Sequence, residues 1–489
     1  MLSTIDALII GVYMLAMIAV GLATRGRQRD VDDYFTAGGR MSGWLGTWLV
    51  GLSIAATLFS GISFIFYPAV VYNGGFVLFV GVTLVCMPAA YFTLQWFLPR
   101  YLGQGITYPY ECIERKFGPG TRTTASIMFG LMRIGWMAAM IFAPTLAIMA
   151  AARLSPAWFW PCILATGLVS TLYTVFGGIR GVIVTDAIQF IVIVFGIAAT
   201  LGCVWIKLPV TFAEAIDTLQ YAGRLNALPL SIDPTEGLTI WTVIIGVTIA
   251  NLANYIGDQM SLQRYLATGE TKAALRTFSI NVVGVILVLA ALTAIGLALY
   301  VFYHFVPDPA LPTNIDQIFP HFIATQLPTG ISGLVLAAIL AATMSSMTSG
   351  INALSATITL DLLPRLARPL SPPEQLRFAR VCSCVVGVAS TILAGFVSRL
   401  GTLFDLTQII LGVFAGPLLV VVLLSTVNRP VSSLGMILGL VGGCAAGWAV
   451  ALSPVAPLWT APAAAGSTLA LALLISVFGE REHGLGRRL

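Results

Sequence analysis

Residues Ala337 to Asp361 read AAILAATMSSMTSGINALSATITLD. The first 24 of these include no Lys, Arg, Glu, Asp or His, so the segment can cross a bilayer as a helix. Ser345, Thr348, Ser349, Asn352 and Ser355 recur at steps of three and four, which gathers neutral oxygens on one helical stripe. Leu, Ile and Met take the other faces. Such a stripe suits a dehydrated hard cation such as Na+, because each oxygen replaces a water without adding a full charge. Small hydroxylated residues also occur where membrane helices pack closely, their hydroxyls bonding the i−4 carbonyl. The stripe alone leaves both readings open.

The surrounding chain decides the solvent. Across 489 residues, 58% are hydrophobic and 9% charged, and the mean hydropathy is +0.94. A soluble globular protein is excluded, and the fold class is all-α: a polytopic membrane protein in one domain spanning 1–489. The seven cysteines sit mostly in apolar runs without CxxC spacing, so they read as small hydrophobes and not as a disulfide or zinc framework. The N-terminal MLSTIDALIIGVYMLAMIAVGLATR lacks a basic n-region and a small-residue cleavage site, and reads as a retained first span.

About thirteen transmembrane helices are expected, near 4–24, 45–70, 75–97, 123–152, 157–176, 183–206, 238–260, 277–303, 331–360, 378–398, 402–426, 432–452 and 457–478. With the N-terminus outside and the C-terminus cytoplasmic, twenty of the 25 Lys and Arg fall in inner segments, Arg264 among them. Four, Arg153, Lys207, Arg224 and Arg399, fall outside, and Arg133 lies within a span. The net charge of +5 therefore reflects topology and not nucleic-acid binding. The long connection at 304–330 holds IFPHFIATQL, which predicts a surface helix over the outer entrance, and His304 and His321 read as solvated.

Two spans should break. The second, WLVGLSIAATLFSGISFIFYPAVVY, crowds Gly51, Ser53, Ser60, Gly61 and Ser63 into its middle before Pro68. The seventh, IANLANYIGDQMSLQRYLA, carries Asn251, Asn254, Gly257 and Asp258. These spans are five apart, which predicts two five-helix halves in inverted repeat, 45–206 and 238–426, with an extra helix at 4–24 and two more at 432–478. Ordinary small-residue packing with a kink is the alternative. Asp186 lies about one turn inside the sixth span, either beside Arg180 at the interface or facing the oxygen stripe as the negative charge of a sodium site. Arg133 either snorkels or meets a substrate carboxylate.

DDYFTAGGRMSGW, WLVGLSIAAT, YTVFGGIRGVIVTDAIQF, DQMSLQRYLAT and LAAILAATMSSMTSGINALSATITLDL together resemble the sodium:solute symporter family over nearly the whole chain. The family includes glucose, proline, sialic acid, pantothenate and monocarboxylate carriers, and the last two motifs are similar to bacterial sialic acid carriers in particular. The resemblance implies a leucine-transporter-type arrangement with alternating access. It implies a first sodium position at the carbonyls of Ala56, Phe59 and Ala342 with the hydroxyls of Ser345 and Ser346. It implies a second at Asp186, Ser345, Thr348 and Ser349. Tyr255 matches an aromatic residue that closes the substrate cavity in sugar-carrying relatives, and Ser60 and Ser63 keep part of a hydroxyl-rich broken helix.

Departures bear on the substrate. The arginine of the sialic acid carriers would fall at Trp136, whereas this chain places Arg133 one turn away, and their glutamine falls at Val82. Fewer polar partners argue against a polyhydroxylated sugar, since each unmatched buried hydroxyl costs about 1–3 kcal/mol. The expected function is Na+-coupled uptake of a small organic solute, a carboxylate, with Ser60, Ser63, Arg133 and Tyr255 at the substrate and one or two Na+ as coupling ions. Sugar, sialic acid or amino acid symport and a proton-coupled carrier of the same fold are the alternatives. Without HExxH, paired CxxC or a nucleophile near a histidine, no enzyme is expected, nor an organic cofactor. One chain in the plasma (inner) membrane is expected to suffice.

Overall fold

The computed structural model describes residues 3–25, 28–226, 229–366, 370–397 and 403–485, and every long element among them is a helix. Of the charges used for orientation, Arg27, Arg368, Arg399, Arg487 and Arg488 lie outside the described residues. Nine helices among the described residues are long and apolar enough to cross a bilayer, against the thirteen expected. The difference has local causes. The 45–70 span is divided into Trp44–Leu58 and Gly61–Gly74, and the 238–260 span shortens to Thr242–Gly257. The 402–426 span forms the 23-residue helix Leu403–Ser425, of which Ile409–Ser425 is a shorter apolar stretch, while 157–176 and 183–206 run together as the 49-residue Phe159–Lys207.

That long helix is jointed at Gly178, whose φ of 54° and ψ of −160° suit glycine alone. A Cβ there would also press within 2.9 Å of the Tyr34 carbonyl oxygen. The joint frees carbonyls, and Gln28 Nε2 takes two of them, Phe176 O at 3.0 Å and Gly177 O at 2.7 Å. Its second arm carries Asp186 into the protein centre, fully buried.

The helix that carries the opening stretch, Ile331–Ala356, is buried from Val335 through Ala356 and packs most extensively on Phe159–Lys207. Its N-terminus is capped from a distance. Asp6, on the first helix Thr4–Ala23, accepts the amides of Gly330 and Gly333 at 2.8 Å each and the Ser332 hydroxyl at 2.9 Å. At the other end Asp361 is held by Arg122, by Ser126 Oγ at 2.7 Å and by Gln259 Nε2 at 3.1 Å. The connection expected to carry a surface helix forms Ile318–Gln326, but Ile318, Phe319, Pro320, Phe322 and Ile323 are buried, and Phe319 stacks on Phe64 at 6.0 Å. His304 stacks beside Tyr300, and His321 pairs with Asp308 at 2.8 Å.

Candidate functional site

The first break falls at Phe59 and Ser60. Phe59 has φ −89° and ψ 93°, and Ser60 restarts the helix as N-cap, its Oγ accepting the Ser63 amide at 3.2 Å. The i→i−4 ladder stops there, so the last carbonyls of Trp44–Leu58 lose their helical partners. Gly61 brings this break against the buried stripe, because a Cβ on it would collide with Thr343 Oγ1 and Pro144 Cγ. Ser346 Oγ donates to the Thr57 carbonyl at 3.0 Å across the gap. Ser345 Oγ is buried and makes no well-formed hydrogen bond. Ala56, Phe59, Ala342, Ser345 and Ser346 are all buried, on the two segments brought together here.

Asp186 lies at a charged junction. Its Oδ2 accepts from Ser53 Oγ at 2.6 Å and Ser349 Oγ at 3.3 Å, and from Arg264 Nη2 at 2.8 Å, while its Oδ1 has no partner. Thr57 Oγ1 bridges to Ser349 Oγ at 3.0 Å, and Thr348 Oγ1 turns to the Ser345 carbonyl at 3.1 Å. The structure thus brings Asp186 and Ser349 together, with Thr348 and Ser345 on the same helix. Arg264, counted in the sequence as an inner-loop charge, is instead 1% exposed, and its guanidinium reaches Ser53 Oγ at 2.8 Å and Thr57 Oγ1 at 3.0 Å. A lone carboxylate in the sixth span was the signal for a hidden cation.

The second break shows why Arg264 is there. Thr242–Val247 and Ala253–Gly257 are wide π turns around a short α segment, and Asp258 leaves the helix at φ −88° and ψ 126°. Asp258 then caps Gln259–Thr268, its Oδ1 accepting the Met260 amide at 2.8 Å. Carbonyls released at the break are recovered by side chains, Gly257 O by Tyr110 OH and Asn254 O by Ser261 Oγ, each at 2.7 Å. All ten residues of Gln259–Thr268 are buried.

A cavity of about 660 Å³ lies between the breaks. Leu58, Phe59, Phe66, Tyr67, Val82, Tyr255 and Leu411 give it apolar walls, and Asn251 and Asn254 supply amides. It extends to Leu238, just before Thr242–Gly257, and to Asn314 and Asp316 on the 304–330 connection. Tyr255 is fully buried, its hydroxyl accepting from Asn281 Nδ2 at 3.0 Å. A second cavity of about 180 Å³ adjoins it through Leu58, Asn254 and Leu411 and is polar, with Ser63, Arg133, Trp136 and Asp258 in its wall. Ser60 spends its hydroxyl on capping and on Ser63 Oγ at 3.2 Å, and does not line either cavity. Arg133 is 1% exposed and ion-paired with Asp258, the charge being too costly to bury alone.

Two interrupted helices enclosing a central cavity, with buried hydroxyls beside one break, define a membrane carrier that works through broken helices. The chain belongs to the sodium:solute symporter family, which it matches over residues 34–443, and is a sodium-coupled solute carrier with several membrane passes. It is 31% identical over 413 residues to the sodium/sialic acid symporter SiaT of Proteus mirabilis, covering 83% of this chain and 81% of that one. It is 29% identical over 429 residues to the human sodium-coupled monocarboxylate transporter 1, covering 86% and 68%. The solved structure of a Na+-coupled sialic acid symporter in a substrate-bound, outward-open state superposes with a TM-score of 0.88 at 27% identity, covering 97% and 98%. The leucine-transporter-type fold expected from the motifs is the fold of the molecule.

Proposed function

We propose that the solute is a small carboxylate with an apolar body, carried inward with one or two Na+. The observation that carries this reading is the pairing of an apolar cavity of about 660 Å³ with an adjoining polar one that holds Arg133. The body of the solute sits among Phe59, Phe66, Tyr67 and Tyr255, and its carboxylate passes Leu58 and Asn254 toward the guanidinium. A sugar-like solute is disfavoured because few polar groups line the larger space. Ala56, Phe59, Ala342, Ser345 and Ser346 take the first sodium, and Asp186, Ser345, Thr348 and Ser349 the second. Ser345 Oγ, which makes no well-formed hydrogen bond, and the unpartnered Asp186 Oδ1 support these positions. The N-terminus faces outward, the C-terminus is cytoplasmic, and one chain in the plasma membrane suffices, since both breaks and the cavity between them come from it.

The energetics favour two ions. At about 100 mV each inward Na+ yields about 2.3 kcal/mol, and a tenfold gradient adds about 1.4. Two ions supply about 7.4 kcal/mol, and importing a monovalent anion costs about 2.3. The remainder of about 5 kcal/mol sustains a gradient of several thousandfold, whereas one ion leaves about 1.4.

Uptake into proteoliposomes tests the reading, with radiolabelled pyruvate, benzoate and N-acetylneuraminate under inward Na+, K+ or choline gradients. Sodium-dependent uptake of pyruvate or benzoate, exceeding that of N-acetylneuraminate, is expected. Equal uptake under K+ would remove the sodium coupling, and N-acetylneuraminate as the best of the three would overturn the choice of solute.

A further inference from the structure

We infer that Asp258 sets substrate specificity as an internal carboxylate, one that holds Arg133 in the unloaded carrier and that the substrate's carboxylate displaces. The inference rests on the carboxylate reading above and adds a competitor to it.

The pairing is incomplete in a telling way. A guanidinium offers a planar fork that matches both oxygens of a carboxylate at once. Asp258 meets it with Oδ2 only, because Oδ1 is committed to the Met260 amide at 2.8 Å as the helix cap. Arg133 Nε is buried without a partner. The fork is therefore held by one oxygen where two would fit. Beside it lies the smaller cavity of about 180 Å³, which shares Leu58, Asn254 and Leu411 in its wall with the apolar one. A carboxylate arriving from the larger cavity can take the fork with both oxygens, and Asp258 keeps its cap while releasing the arginine.

Displacement also has somewhere to propagate. The capped helix Gln259–Thr268 is tied at its start to Arg133, at Gln259 to Asp361 and at Arg264 to Asp186. Releasing the first tie frees one end of a helix whose sixth residue, Arg264, bonds Asp186 and Ser349 of the expected second sodium position. Neutral solutes of the same shape have no means of competing for Arg133, so discrimination against them is built into the pair.

The test measures binding of benzoate and pyruvate, each against its amide, by calorimetry on the purified full chain in nanodiscs with Na+. Asp258→Asn retains a capping oxygen and similar volume. It should tighten carboxylate binding about tenfold, equal to about 1.4 kcal/mol, and leave amide binding within twofold. Unchanged or weaker carboxylate binding in this variant, with wild type still preferring carboxylates, overturns the role of Asp258 alone. Wild type that binds acid and amide equally overturns the carboxylate reading itself. Should Asp258→Asn be unstable, Asp258→Ser serves as a second variant, and thermal stabilisation is read instead. Greater stabilisation by benzoate than by benzamide, exceeding that in wild type, supports displacement, and equal stabilisation by the two overturns it.

Discussion

The two proposed sodium positions share Ser345 and one helix, yet their surroundings differ in kind. Around Ala56, Phe59, Ala342 and Ser346 every group on offer is a neutral oxygen, and the broken backbone supplies part of the set. Around Asp186 the protein has placed a cation of its own, with Arg264 Nη2 2.8 Å from the carboxylate. The first proposed position draws on a helix break and the second on a carboxylate whose Oδ1 has no partner. A sodium ion at the first would meet neutral oxygens, with Ser346 Oγ already bonded to the Thr57 carbonyl, whereas at the second it would share Asp186 with a guanidinium. On these proposed positions, similar oxygen counts need not imply similar affinities, and a second ion would be the more sensitive to movement of Gln259–Thr268.

The sharpest way to break this contrast is Asp186→Asn. It leaves Arg264 buried without a counter-charge, which should lower stability by about 3–5 kcal/mol, read by thermal or denaturant unfolding in detergent. A loss below about 1 kcal/mol would mean that Ser53, Thr57 and Ser349 alone satisfy the guanidinium. Ser345→Ala comes next and strikes both positions. Sodium activation of uptake should shift by at least tenfold, about 1.4 kcal/mol, with the fold intact. An unaltered sodium titration would remove Ser345 from both sets.

The smallest effect lies far from either position, at Asp308. Its hydrogen bond from His321, with another from the Ala310 amide, holds its carboxyl below the ordinary value of 3.8. A lowered acid stabilises the fold above its ordinary value and loses that contribution as pH falls through the lowered one. Uptake by Asp308→Asn should therefore match wild type within about twofold at pH 6–8, while its melting temperature should fall less steeply than wild type below pH 4. A change in sodium dependence would tie this connection to the ion positions.

Much of the architecture was readable because the bilayer imposes length and apolarity on every span. The first break was also readable, since Gly51, Ser53, Ser60, Gly61 and Ser63 weaken the helix where the chain turns at Phe59. The second break announced itself through Asn251, Asn254 and Gly257. Its π turns did not, because a shift in hydrogen-bond partner leaves no mark on composition. Gly178 was hidden in what read as a short loop between two spans. Arg264 was missed for a clearer reason. Counting positive residues assigns each arginine to the nearest membrane surface, and this one is drawn inward by Asp186, 78 residues earlier in the chain. Arg133 was noticed, but its partner Asp258 is 125 residues away and was read only as a helix breaker.

Complete burial of Gln259–Thr268 has a practical corollary for watching the carrier work. None of its ten side chains can accept a fluorophore or spin label without disturbing the packing that would be under observation. Gly269 and Glu270, immediately after it, are exposed. A probe at Glu270, which also N-caps Thr271–Phe305, sits in open solvent at the end of this helix, and its distance to a fixed reference would follow any displacement of the helix.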